Sequence, residues 1–400
     1  MRMQNRCLPD GSGDYHTTIG TNMATLTFMT HTIFDHGASA ELGKVLALNG
    51  IRRPLLCTDK GLVNLGMVSD LVSNLGNDAA LTIFDGTPEN PTQMAVEEAV
   101  AIYKEAGCDG VVALGGGSSM DLAKAVALAV THEGDLLEYT AGLGGAAKIG
   151  TVAPLIAIPT TSGTGSEVSS GAVIIMNNGE KLILASTNLV PMTAICDPSL
   201  TLGLPPLLTA ATGMDAMTHC IEALISPMVN PPAEAVACDG IERGIREAHL
   251  VKAVTDGSDK DARWHMMMAA SEGAMAFSKG LGAVHSMSHA CGADQTLRLH
   301  HGTLNAVILP TILDFNRGHV GDKYQRLNSA MGIAADADPA QFIRDLNAEI
   351  GLPANLSEMG VQKDSIPGLA SHAAKDVCTF TNPRPCSAEE YEALYETALG

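Results

Sequence analysis

Apolar residues fall along this chain in two textures. In the first half, short Val-, Ile- and Leu-rich runs alternate with helical periods. PLLCTDKG (54–61) reads as a buried strand ending in a polar turn, and LTIFDGTPENPT (81–92) as another strand running into a Pro/Asn loop. VEEAVAIYKEAGCDG (96–110) reads as a helix with Gly110 as its stop, and VVALGGGSSMDLAKAVALAV (111–130) as strand, glycine turn and helix. Such alternation predicts a parallel sheet wrapped by helices.

Beyond Leu204 the texture changes. PPLLTAATGMDAMTHCIEALIS (205–226), PAEAVACDGIERGIREAHLV (232–251) and DARWHMMMAASEGAMAFSKG (261–280) carry Ala, Met, Glu and Leu at helical spacing. Pro198, Pro205 and Pro206 interrupt any regular element between the two textures. The expectation is an α/β domain over 23–204 and an all-helical domain over 205–400. Residues 1–22 lack periodicity and are read as a disordered leader or a start-site artefact ahead of Met23, after which ATLTFMTHTIF (24–34) alternates like a strand.

With 400 residues, 46% of them hydrophobic and 17% charged, the chain can bury a large core. Neither a bilayer-length apolar run nor a signal-peptide pattern is present, so a cytoplasmic protein is expected, without membrane partners. Nine cysteines without a C-x-x-C pair read as reduced thiols. A net charge of -20 argues against nucleic acid, and any anionic substrate must then be met by a local cation.

GGGSSMDLAKA (115–125) follows the apolar GVVAL and opens a helix, where backbone amides can cradle a pyrophosphate. The alternative is a tight turn capped by Ser118 or Ser119. A second polar loop, IPTTSGTGSEV (158–168), follows PLIAI and brings Thr160, Thr161, Ser162 and Thr164 to a strand end, the place where such crevices form. Asp59 ends the first α/β strand and could accept hydrogen bonds from a ribose, favouring NAD over NADP, or simply cap a helix.

Asp215 and His219 stand in an i, i+4 relation in a helical segment and project from one face. His285 and His289 repeat that spacing, and His301 follows a loop. An Asp with two or three imidazoles suits divalent iron or zinc with an open position for a substrate oxygen. Ordinary core histidines are the alternative for each, and His132, His249, His265 and His372 lack such company.

TDKGL, GGGSSMDLAKA, PTTSGTGSEV, CDPSL, GMDAMTHCIEA, VHSMSHACG and HHGTLNA, in this order, resemble the signature of the iron-dependent (group III) alcohol dehydrogenases from about Leu26 to the C-terminus. The resemblance implies a Rossmann-like α/β dinucleotide-binding domain and an all-α domain, an architecture shared with dehydroquinate synthase-like proteins, with metal and nicotinamide meeting between them. It implies Asp215, His219, His285 and His301 as ligands of Fe2+, or of Zn2+ in its place. His301 is preferred to His300 because Gly302 follows it, although the loop ACGADQTLRLH is a little longer than usual. His289 falls on the family's proton carrier.

On the cofactor side the resemblance implies NAD, with Asp59 on the ribose, Gly116, Gly117 and Ser118 on the pyrophosphate, and Asp121, Thr160, Thr161 and Thr164 lining the cleft. Lys181 would reach the ribose, and Asn90 would lie near the phosphates. Within the family, GIRRPLLCTDKGLV, THEGDL, AFSKGLG and LHHGTLNAV look closest to bacterial 4-hydroxybutyrate dehydrogenases, which interconvert 4-hydroxybutyrate and succinate semialdehyde. Lys279 and Arg298 are then the candidate partners of the substrate carboxylate. The rival readings are a broader-range dehydrogenase for neutral short-chain alcohols or diols, a non-redox dehydroquinate synthase-like enzyme, and a regulatory protein without turnover. A homo-oligomer is the family expectation.

Overall fold

The structure is a computed structural model that describes residues 30–73, 75, 80–293, 297 and 299–400. The 1–22 segment, the start of the strand expected over 24–34, and Arg298 lie outside the described residues.

Six parallel strands form one sheet in the order β1-β8-β5-β4-β2-β3. They are β1 (His31–Phe34), β2 (Pro54–Cys57), β3 (Thr82–Phe84), β4 (Gly110–Gly115), β5 (Leu155–Pro159) and β8 (Thr193–Cys196). The central strands are buried on both faces, as in β2, β4 and β5, and this is why their sequences read as continuous apolar runs. Between them in sequence, β6 (Gly171–Ile175) and β7 (Lys181–Ala185) form a separate antiparallel ribbon.

The chain leaves β2 for β3 at one edge and then crosses back to place β4 on the other side of β2, with Cys57 paired to Ala113. The carboxyl ends of β2 and β4 therefore flank a switch point, where a crevice opens beyond the sheet. The Asp59 turn and the glycine turn both sit there.

One boundary differs from expectation. The helix before β4 runs Gln93–Glu105, starting on the cap Thr92, whose side chain accepts from the Ala95 amide. Its stop is Gly107, in the left-handed region at φ 62°, while Gly110 is the first residue of β4. Two glycines three residues apart offer the same signal, and only the one at the helix end needs positive φ.

From Pro206 onward all regular elements among the described residues are helical. Helix Pro206–Ile225 starts with prolines at its first turn and is buried continuously from Thr209 to Ile225, so other helices surround it on every side. Helix His301–Asn316 crosses it at Gly302, where a Cβ would lie 2.2 Å from the Ala211 carbonyl oxygen. This backbone contact sets His301 against Asp215. No helix of the described residues is long and apolar enough to cross a membrane, and all eight cysteines among them are free.

Candidate active site

Four donor atoms from three helices converge. Asp215 Oδ1 lies 3.7 Å from His219 Nε2, 3.9 Å from His285 Nε2 and 3.6 Å from His301 Nε2. A four-coordinate cation with ligand bonds of roughly 2.0–2.2 Å holds its ligands roughly 3.4 Å apart; the donor atoms of Asp215, His219 and His285 all lie within 4.8 Å of one another, and His301 reaches the set through Asp215. Asp215, His219 and His285 are buried, whereas His301 is about one-third exposed at the edge of the cleft. The structure brings His301, not His300, to Asp215; His300 is exposed, with Thr303 as its neighbour.

Each imidazole is tuned differently. Burial pushes the His219 pKa down to about 4. Burial also takes His301 well below its ordinary value, helped by the charges of His285 and His289. Burial opposes charge on His285 too, yet Glu222 outweighs it and the pKa stands above 6.5. Glu222 Oε2 accepts from His285 Nδ1 at 2.6 Å and Oε1 accepts from the Val284 amide at 2.8 Å. With Nδ1 carrying the proton, the Nε2 lone pair faces Asp215.

His289 stands one turn beyond His285, its ring parallel to that of His301 at 5.4 Å. Its Nδ1 donates to Asp376 Oδ2 at 2.9 Å. Burial alone would raise the Asp376 pKa, but His289 and the Cys378 amide bring it down to about 2.

The two polar loops meet beyond the carboxyl ends of the neighbouring strands β4 and β5. A Cβ at Gly117 would lie 2.7 Å from Thr164 Cγ2, and one at Gly116 would lie 3.4 Å from Thr161 Oγ1. Glycine is what lets the first turn of helix Gly117–Ala129 approach the threonines with its amides uncovered. Thr160 is buried, its amide bonded to the Gly115 carbonyl. Lys181 donates to Asn90 Oδ1 at 2.9 Å, and the Ser118 hydroxyl donates to the Glu89 carbonyl. Asp59 caps helix Lys60–Asn64 through Oδ1, accepting from the Leu62 amide at 3.0 Å.

Asp121 is brought in as a brace. Its oxygens accept from the Ser166 hydroxyl at 2.7 Å and the Val173 amide at 2.9 Å. One turn on, the buried Lys124 donates to Ser166 Oγ and to the Ser169 and Gly171 carbonyls. Together they lock the helix behind the glycine turn to the threonine loop.

Lys279 is not brought to the site. Its ammonium is buried and donates to the carbonyls of Ala223, Leu224 and Ser226 at 2.7–3.1 Å, with Glu234 at 3.0 Å. It caps the carboxyl end of helix 206–225, where last-turn carbonyls lack intrahelical donors and attract a cation. All its donors are spent there, so it has none for a substrate carboxylate. His249 and His265, which look isolated in sequence, stack at 4.0 Å, but Arg243 donates to His265 Nδ1, and a guanidinium beside the pair disfavours a cation.

Sequence reasoning missed Glu222 and Asp376. Glu222 had a local signal, since it follows Asp215 by two turns on the same helical face.

Together these features define a class: a parallel α/β sheet with a crevice at the carboxyl ends of its strands, beside a helical part in which one carboxylate and three imidazoles converge. The model of iron-containing alcohol dehydrogenases matches residues 29–198, and that of the C-terminal part of Fe-containing alcohol dehydrogenases matches 209–399. The chain belongs to the iron-containing alcohol dehydrogenase family and is an oxidoreductase acting on CH–OH groups. It is 49% identical over 385 residues to a 4-hydroxybutyrate dehydrogenase of Cupriavidus necator, covering 94% of this chain and 100% of that one. An NAD-dependent methanol dehydrogenase of Bacillus methanolicus is 35% identical over 381 residues, covering 92% and 98%. Among solved structures, a 1,3-propanediol oxidoreductase superposes with a TM-score of 0.87 at 34% identity, covering 94% and 100%.

Proposed function

We propose that this protein is an NAD-dependent, metal-dependent dehydrogenase interconverting 4-hydroxybutyrate and succinate semialdehyde, with Fe2+ as its metal and Zn2+ accepted by the same donors. The observation that carries the reading is the convergence of His219, His285 and His301 on one oxygen of Asp215. The likeness to a 4-hydroxybutyrate dehydrogenase supports the substrate. It acts as a cytoplasmic homo-oligomer, which light scattering of the purified protein checks.

Asp215, His219, His285 and His301 hold the cation. When bound, the cation supplies Lewis-acid polarisation of the alcohol or carbonyl oxygen, and the nicotinamide supplies hydride exchange. His289, with Nδ1 bonded to Asp376, keeps Nε2 to pass the hydroxyl proton towards solvent. The Asp376 carboxylate steadies the imidazolium while the proton is in transit.

The amides of Gly116, Gly117 and Ser118 receive the pyrophosphate, and Thr160, Thr161 and Thr164 wall the cleft. Asp59 caps with Oδ1 and turns its other oxygen to the ribose, while Lys181 and Asn90 act as one hydrogen-bonded unit at the cofactor. Asp121 serves the cofactor through the loop it braces. For the substrate carboxylate, Arg298 is the candidate taken from the sequence.

The test is NADH absorbance with Fe2+ or Zn2+ and either 4-hydroxybutyrate or 1-butanol. No NADH under either metal overturns the reading, and equal efficiencies favour a broad-range enzyme for neutral alcohols. With succinate semialdehyde and butanal, Arg298→Ala lowers only the efficiency for the acid; an equal loss for both removes Arg298 from that role.

A further inference from the structure

Asn305 follows His301 by one turn on helix 301–316, inside the HHGTLNA motif. Its side chain is fully buried, and Nδ2 lies 2.7 Å from Asp215 Oδ1 and 3.2 Å from the Nε2 atoms of both His285 and His301. A single amide nitrogen thus reaches three of the four converging donor atoms.

The other end of that amide is unusual. Among the described residues Asn305 Oδ1 has no hydrogen-bond partner, although it is buried. An unpaired buried carbonyl is costly, and the neighbours Leu304, Ala306 and Ile308 make an apolar side chain the easier occupant. The opposite amide orientation would set oxygen against the Asp215 carboxylate, so the carboxylate selects the N–H.

The ligands also differ in how they are held. Glu222 orients His285 and Ser288 lies beside His301 Nδ1 at 3.3 Å, whereas Asn305 is the sole hydrogen-bond donor to Asp215 among the described residues. We propose that Asn305 is a positioning residue of the metal centre, whose amide holds the Asp215 ligand oxygen where the imidazoles converge and so sets cation affinity and coordination geometry. The proposal rests on the metal-centre reading above.

Two variants and two readouts test it. Asn305→Leu removes the donor while filling most of the space; Asn305→Asp keeps the shape and replaces the donor with an acceptor. Zn2+ affinity is measured by competition with a chromophoric chelator, geometry by the visible absorption of the Co2+-loaded protein, and folding by circular dichroism. Asn305→Leu weakens Zn2+ binding about 10–100-fold and changes the Co2+ bands. Asn305→Asp weakens those bands as a second carboxylate enters the coordination sphere.

Wild-type protein that takes up neither ion sinks the metal-centre reading itself. Wild-type binding, with both variants within twofold of its affinity and with its Co2+ spectrum, overturns the role of Asn305 alone. Should Asn305→Leu fail to fold, Asn305→Asp decides: a changed spectrum supports the role and an unchanged one overturns it.

Discussion

Glu222→Gln is the sharpest probe of the proposed metal centre. Glu222 is buried, and its two oxygens accept from the Val284 amide at 2.8 Å and from His285 Nδ1 at 2.6 Å. Glutamine offers one acceptor and one donor for two donors. If its oxygen stays on Val284, its NH2 faces His285 Nδ1 and drives the imidazole to the other tautomer, with a proton on the nitrogen meant for the cation. If its oxygen takes His285, the Val284 amide is orphaned and the helix start shifts.

Loss of such an orienting partner lowers metal affinity roughly 10–100-fold, or about 1.4–2.8 kcal/mol. The pH dependence has a definite sign. Glu222 holds the His285 pKa above 6.5, so in the wild type protons compete with the cation as pH falls through that raised value. The variant loses this competition along with the carboxylate, so the ratio of wild-type to variant affinity is largest near pH 8 and narrows towards pH 6. Zn2+ competition titrations across that range provide the measurement. A Glu222→Gln protein with wild-type affinity at pH 8 refutes the tautomer argument.

His289→Ala lowers kcat roughly 10²–10⁴-fold while Zn2+ affinity stays at its wild-type value; a loss of metal would make His289 a ligand instead of a proton carrier. Asp376, held at about 2 in place of 3.8, contributes about 2 kcal/mol that is present above pH 3.8 and lost as pH falls through 2. Urea unfolding of Asp376→Asn therefore shows that gap at pH 6, and a gap that does not close below pH 4 would contradict the pairing with His289. Gly302→Ala forces a Cβ to 2.2 Å from a backbone oxygen and lowers the melting temperature, at a cost of about 1–3 kcal/mol or more. Lys279→Met strands the Ala223 and Leu224 carbonyls, at about 1–3 kcal/mol each, while Lys323 still donates to the Ser226 carbonyl and Arg326 still pairs with Glu234. It leaves the kcat/KM ratio of succinate semialdehyde to butanal unchanged, and a shifted ratio would return Lys279 to the substrate.

Periodicity in the amino-acid sequence was enough to separate an α/β half from a helical half, because strand and helix periods are local. The i, i+4 spacing of Asp215 with His219, and the glycine turn after an apolar strand, were legible for the same reason: a helix or a turn fixes side-chain direction within a few residues. What the sequence left open lies in contacts between distant segments. Glu222 meets His285 across 63 residues, Asp376 meets His289 across 87 and Asn305 meets Asp215 across 90. Lys279, a plausible surface cation beside the histidines in sequence, turns inward to serve a helix end that sequence order does not reveal. Spacing assigns residues to a helical face; helix packing, set here by the backbone contact at Gly302, decides which faces meet and which polar groups must then satisfy one another.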